Sequence, residues 1–189
     1  MQTFLPYGYV YKVDRTLPNK LDMFKLGIQA SVQSLDYKRL GKQRVEAMQT
    51  YNQVTKGAGG YRHHPVNAMW QRYPKALAYY QDMCIQEWLR RGYTNTMQLL
   101  CTDDITEADI PDWYGSKKLH LSHRYNLLRK DFIHYSQFGW FYPDDYKTRP
   151  YIWSDFAGVM LFDLYKQNLQ IPTVNASKDL QAQFGMTNN

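Results

Sequence analysis

Four residues punctuate the middle of this chain: Gly57, Pro65, Pro74 and Gly92. Proline is excluded from helix interiors yet suits a first turn, and glycine readily ends a helix. Between these marks, apolar residues recur at three- and four-residue spacing, which is the signature of an amphipathic helix. A first strong helix begins near Ser34-Leu35-Asp36, where Ser34 or Asp36 can cap it, and runs through KRLGKQRVEAMQTYNQVTK to a stop at Gly57–Gly60. Leu40, Ala47, Met48, Tyr51 and Val54 fall on one face, while Lys38, Lys42 and Gln49 fall elsewhere. Gly41 weakens the helix by ~1 kcal/mol relative to alanine. GYRHHP then leads into a second helical region, with Pro65 in its first turn. Met69, Tyr73, Leu77, Tyr80, Cys84, Trp88 and Leu89 form its apolar stripe, Pro74 splits or kinks it, and Gly92 ends it.

The flanks are read less sharply. Residues 1–34 are expected to be irregular, because Pro6, Gly8, Pro18 and Gly27 interrupt any long period. The acidic stretch 95–114 reads as a short helix or loop. A long helix is expected over 119–137, stopping at Gly139, followed by the turn-rich PDDYKTRP. A last helix is expected over 154–170, before Pro172, with a polar tail from Thr173 that lacks an apolar face. There is no internal repeat and little strand signal. The expected fold class is mainly α: a single compact helical domain with an irregular N-terminal arm and a loosely held C-terminal tail.

At 189 residues and 44% hydrophobic content the chain can bury a substantial core and is not generally disordered. No apolar run approaches the roughly 20 residues of a membrane helix, and MQTFLPY lacks the basic-then-apolar pattern of a signal peptide. The expected location is therefore intracellular, in the cytoplasm. Cys84 and Cys101 are too few for a disulfide framework or a structural zinc site. A net charge of +6 points to a polyanionic partner. The charge is also segregated. Residues 116–130 carry five Lys or Arg and no acid, whereas 95–114 carry five acids and no Lys or Arg. The 17 tyrosines can stack on bases, although most belong in a core.

Several constellations could carry chemistry. Glu46 follows Lys42 by one helical turn, so it is either a surface ion pair worth a few tenths of a kcal/mol or a carboxylate at the edge of a basic face. His63-His64 and His120/His123 could in principle make a four-histidine metal site, but the spacing is not that of HExxH and no acid or Cys lies close in sequence. Structural or phosphate-contacting roles fit them better. In HRYNLLRK, Arg124, Arg129 and Lys130 are interleaved with Tyr125 and two leucines, so one side of the helix can dock while the other grips phosphates. MQTFLPY, apolar almost from its first residue, is either a packed arm or the carrier of a working α-amine.

MQTFLPY, LDYKRLGKQRVEA, GYRHHP, EWLRRGY and HLSHRYNLLRKDFIHYSQFGW resemble, in order, bacterial and phage proteins of the pyrimidine-dimer DNA glycosylase family. That family includes the ultraviolet-repair glycosylase/lyases of the endonuclease V type. The resemblance covers residues 1–7 and 34–153, with 8–33 an insertion, 154–172 an additional helix and 173–189 a polar tail. It implies a compact, metal-free and cofactor-free helical enzyme acting on damaged double-stranded DNA. In the family mechanism the N-terminal α-amine attacks C1′, an imine forms as the base is lost, and β-elimination nicks the strand. The resemblance places the nucleophile at Met1, the essential carboxylate at Glu46 and a second polar group at His64. It places DNA contacts at Arg39, Lys42, Arg44, Arg62, His123, Arg124, Arg129 and Lys130.

An α-amine with a pKa of about 7.8 is roughly 14% neutral at pH 7, against ~0.04% for lysine, which makes it the better nucleophile without burial. The bulk of Gln2 should block removal of the initiator methionine, so the amine would be that of Met1 itself; the family's well-studied phage member instead exposes a small residue. Three alternatives remain open at this stage. They are a non-catalytic DNA-binding protein, a glycosylase for another modified base, and a metal-dependent hydrolase built on the four histidines.

Overall fold

In the computed structural model the described residues are 2–8, 19–59, 62–101, 103–154 and 160–162. The architecture is helical, as the period of the sequence predicts. Helix α1 spans Lys20–Ser34, α2 Tyr37–Lys56, α3 Pro65–Trp70 and α4 Pro74–Arg90. After a 3-10 turn at Glu107–Asp109 come α5 (Lys117–Lys130), α6 (Phe132–Ser136) and a 3-10 turn at Asp144–Lys147. A two-stranded antiparallel ribbon follows, β1 (Ile152–Ser154) and β2 (Met160–Phe162), with Trp153 opposite Leu161.

The central helices form where their punctuation says. The Asp36 carboxylate accepts from the Lys38 and Arg39 amides at the start of α2, and Gly57 at φ 63° ends it. The His64 ring accepts from the Val66 amide to cap α3, with Pro65 in the first turn. Pro74 opens α4, and Gly92 follows its end at φ 84°. The stripe read from the sequence is the buried face of α4: Leu77, Tyr80 and Cys84 are inaccessible to solvent, while Leu89 turns outward.

Four expectations at the flanks are corrected. Residues 20–34 are helical rather than irregular. Asn19 caps α1 through the Asp22 amide, and Phe24, Gly27, Ile28, Ser31 and Val32 make its buried face. Gly27, read as an interruption, is required by tertiary contact: a Cβ there would lie 1.9 Å from the Tyr114 hydroxyl and 2.5 Å from the Tyr7 carbonyl. The helix expected over 119–137 breaks at Asp131, whose side chain accepts from the His134 amide and starts α6 anew. The helix expected from 154 is replaced at 160–162 by β2, since Ile152 and Trp153 are already extended and buried and the MLF run pairs with them. A short apolar run of that kind is ambiguous by period alone. Residues 163–172 and the tail lie outside the described residues.

The core runs between α2 and α4 and continues to α5 through aromatic stacking. Trp70 meets Trp113 edge to face at 4.9 Å, and the Trp113 indole N–H donates to the Met69 carbonyl at 2.8 Å. The Arg91 guanidinium donates to Glu87 and to the carbonyls of Gln33 and Leu35, tying the end of α1 to the end of α4. Phe4 and Leu5 of the N-terminal arm are buried in this core. Burying a side chain of that size stabilises by ~1.5–3 kcal/mol.

Candidate active site

The arm at 2–7 belongs to no helix or strand, so its backbone groups need partners from elsewhere. Side chains supply them. The Phe4 amide donates to the Gln43 side-chain carbonyl (2.9 Å) and the Leu5 amide to His123 Nδ1 (2.9 Å). The Leu5 carbonyl accepts from His120 Nδ1 (2.7 Å) and the Pro6 carbonyl from Arg124 Nε (2.8 Å). The Tyr7 amide donates to Ser31 Oγ (3.1 Å), and the Tyr7 carbonyl accepts from the Tyr114 hydroxyl (3.2 Å). The Thr3 hydroxyl accepts from the Trp70 indole at 2.8 Å, and the Gln2 side-chain amide meets the Tyr151 hydroxyl. At Gly8 a Cβ would collide with the His120 ring, so the arm passes there only as glycine.

The two α5 histidines are parts of this clamp. His120 Nε2 accepts from the Gly115 amide at 3.1 Å, which leaves the proton on Nδ1 for the Leu5 carbonyl. Burial holds the His120 pKa down to about 4 and pushes His123 well below the usual range. Both rings are therefore neutral at physiological pH. His123, expected on the DNA-facing surface, is 0% exposed, and that expectation is corrected. Arg124 also points inward, with its guanidinium 5.3 Å from the Tyr7 ring and 5.6 Å from Trp140.

The arm leads to Glu46. The Gln2 backbone N–H is hydrogen-bonded to the Glu46 carboxylate, and Gln43 Nε2 donates to Glu46 Oε2 at 3.1 Å. Burial raises the Glu46 pKa, opposed by the charge of the terminal amine, by Lys42 and by these two hydrogen bonds. His64, half-buried at the start of α3, lies edge-on to Trp153 at 5.1 Å. Burial, then the positive charge of the terminal amine, lowers the His64 pKa to about 4. Its Nδ1 accepts from the Val66 amide at 3.1 Å, so the neutral ring carries its proton on Nε2. Met1 itself lies outside the described residues.

On the other side of Glu46, an open groove of about 500 Å³ runs along α2, lined by Tyr37, Lys38, Lys42, Gln49 and Trp88 among others. Lys42, Arg62 and Lys130 are exposed. Arg39 is half-buried, 3.3 Å from Asp36, and donates to the Lys130 carbonyl. Arg44 stacks on Trp88 at 4.1 Å and donates to Asn95, and Arg129 donates to the carbonyls of Tyr146, Lys147 and Arg149. Of the expected phosphate contacts, Arg44, Arg124 and Arg129 thus brace the protein's own structure. Among the described residues no three His, Cys, Asp or Glu side chains gather in a way that could hold a metal ion.

The sequence pattern leaves Gln43 and Tyr151 unmarked and shows Tyr80 only as part of an apolar stripe. A signal existed for the first: Gln43 lies between Leu40 and Ala47 on the buried face of α2, one turn before Glu46. A polar residue inside an apolar stripe asks for a partner.

Comparison with known proteins falls on the same region. Residues 21–100 match the model of the pyrimidine dimer DNA glycosylase family. The match supports the family resemblance drawn from LDYKRLGKQRVEA, GYRHHP and EWLRRGY, all of which lie within it. It begins inside the segment expected to be an insertion and takes in α1 from Leu21. It contains Gln43, Glu46 and His64, while the arm and α5 lie outside it. The glycosylase family named by the match is one of DNA repair. No curated protein and no solved structure matches the chain. Among the described residues no helix is long and apolar enough to cross a membrane.

Proposed function

We propose that this protein is a DNA glycosylase for damaged pyrimidines in duplex DNA, with an associated lyase activity that nicks the strand. The Met1 α-amine attacks C1′ of the damaged nucleotide. A nitrogen–carbon bond forms as the glycosidic bond breaks, and the base leaves with the electron pair and takes up a proton. The sugar ring then opens to an imine. Loss of a proton from C2′ expels the 3′ phosphate, and water releases the amine. Glu46 moves the protons of these steps and balances the cationic imine. His64, neutral and with Nδ1 already bonded, offers its Nε2–H as a donor to the opened sugar or to the departing base.

The observation that carries this reading is the hydrogen bond from the Gln2 backbone N–H to Glu46. That nitrogen is joined to the Met1 carbonyl by a planar peptide, so Met1 Cα lies about 2.4 Å from it by covalent geometry. An arm held by side chains along its whole length supports the same reading, because a nucleophile must be fixed against its acid/base partner. The exposed Lys42, Arg62 and Lys130 supply a cationic surface for the phosphate backbone.

Base release, meaning scission of one glycosidic bond in a duplex carrying a cyclobutane pyrimidine dimer, tests the reading; the cleaved pyrimidine stays joined to its dimer partner, so the event is read as the abasic, alkali-labile site it leaves. Wild-type protein should form that site, and Glu46→Gln should lose its formation by about a hundredfold or more while retaining duplex binding. Equal turnover by the two proteins would remove Glu46 from the reaction. A binding-only protein on the same scaffold also accounts for a packed arm, with Phe4 and Leu5 in the core. It predicts tight duplex binding with no base release at all.

A further inference from the structure

Gln43 is 1% exposed, and both ends of its side-chain amide are engaged. The Phe4 amide at 2.9 Å and the Tyr80 hydroxyl at 2.6 Å both donate to Oε1. The Phe4 N–H can only donate, which settles which end of the amide is the carbonyl, and the NH2 end therefore faces Glu46 Oε2 at 3.1 Å. Tyr80 is itself wholly buried on α4 and reaches the Phe4 carbonyl at 3.0 Å, so the anchor of this arrangement is the core.

We propose that Gln43 is a positioning residue that sets the register of the N-terminal arm and the orientation of the Glu46 carboxylate with one side chain. The inference rests on the reaction proposed for Glu46. Its carbonyl end holds Phe4, three residues from the chain start, and its amino end holds the acid/base group. A displacement of either would be felt by the other. The NH2 end also favours the ionised carboxylate, acting in the same sense as the terminal amine and Lys42, the charged groups that bear on Glu46, and against burial. His64, which also feels the charge of the terminal amine, is neutral above a pH of about 4 and adds no charge at the pH of the reaction.

Gln43→Glu separates the two ends. It keeps the length of the side chain and an oxygen for Phe4 and Tyr80, and it removes the donor to Glu46. Duplex binding should be unchanged. Base release should fall on the order of tenfold to a hundredfold, and the acidic limb of its pH profile should move up by about one to two units. A loss uniform across pH, or no loss, would overturn the proposal. A second measurement uses the wild-type chain and needs neither a folded variant at position 43 nor turnover. The side-chain ¹⁵N–¹H signals of Gln43 should move with the titration of Glu46, and Glu46→Gln should abolish that movement. Signals that ignore pH would refute the coupling. If these signals titrate while the wild-type protein releases no base, the positioning stands and the glycosylase reading alone fails.

Discussion

The Leu5 amide donates to Nδ1 of His123 at 2.9 Å, joining residues 118 positions apart. Through this bond, and through the partner bond from His120 to the Leu5 carbonyl, α5 holds the arm that ends at Glu46. A histidine pair that could be read as phosphate ligands is instead a neutral clamp on the backbone.

His123→Ala leaves the Leu5 amide buried without a partner. The cost should be about 2 kcal/mol or more, from the unpaired donor and the void together. Urea denaturation checks it, and base release should also fall under conditions where the variant remains folded, since the arm is no longer anchored at Leu5.

The same clamp predicts the acid limb of stability. The His120 pKa is about 4 in the folded protein and burial holds His123 well below its usual range, against roughly 6.5 when unfolded. The unfolded chain therefore binds more protons below pH ~6.5. Stability should be fully present above that pH and fall as the pH drops from 6.5 toward 4, by up to ~1.4 kcal/mol per pH unit for each histidine. Denaturation of His120→Gln across this range should show a shallower fall.

Gly27→Ala should destabilise the protein by about 1–3 kcal/mol, although alanine is favoured over glycine in a helix by ~1 kcal/mol. The added methyl meets the Tyr114 hydroxyl and the Tyr7 carbonyl, and the latter is backbone that cannot easily yield. A stabilised variant would show that α1 and the arm do not approach as described.

That position also explains what sequence could and could not tell. Asp36, Gly57, Pro65, Pro74 and Gly92 act on their own neighbours, and each set a helix boundary that could be read locally. Gly27 and Gly8 answer to residues far along the chain, so they read as breaks when they are points of close approach. Glu46 and His64 enter the proposed site through the resemblance and not through any local signal. The inward turns of Arg124 and His123 could not, because a basic helix shows the same residue pattern whether its cations face phosphate or a backbone carbonyl.

Replacing Lys42, Arg62 and Lys130 together with alanine should weaken binding to damaged and undamaged duplex alike, because phosphate contacts carry no base information. The slope of log K against log salt should shrink by about 2.7, at ~0.9 per contact. Arg124→Ala should act differently: it removes the donor to Pro6 and the stacking on Tyr7, and its main effect should be on stability.

Borohydride trapping on duplex DNA with an abasic site tests the central claim most directly. Reduction should fix a covalent protein–DNA adduct, and peptide mapping should place it on the peptide that begins Met1-Gln2. Acetylating the terminus should remove both the adduct and the nicking while sparing binding. An adduct on a lysine such as Lys42, or no adduct from protein that binds the duplex tightly, would contradict the assignment of the Met1 amine as nucleophile.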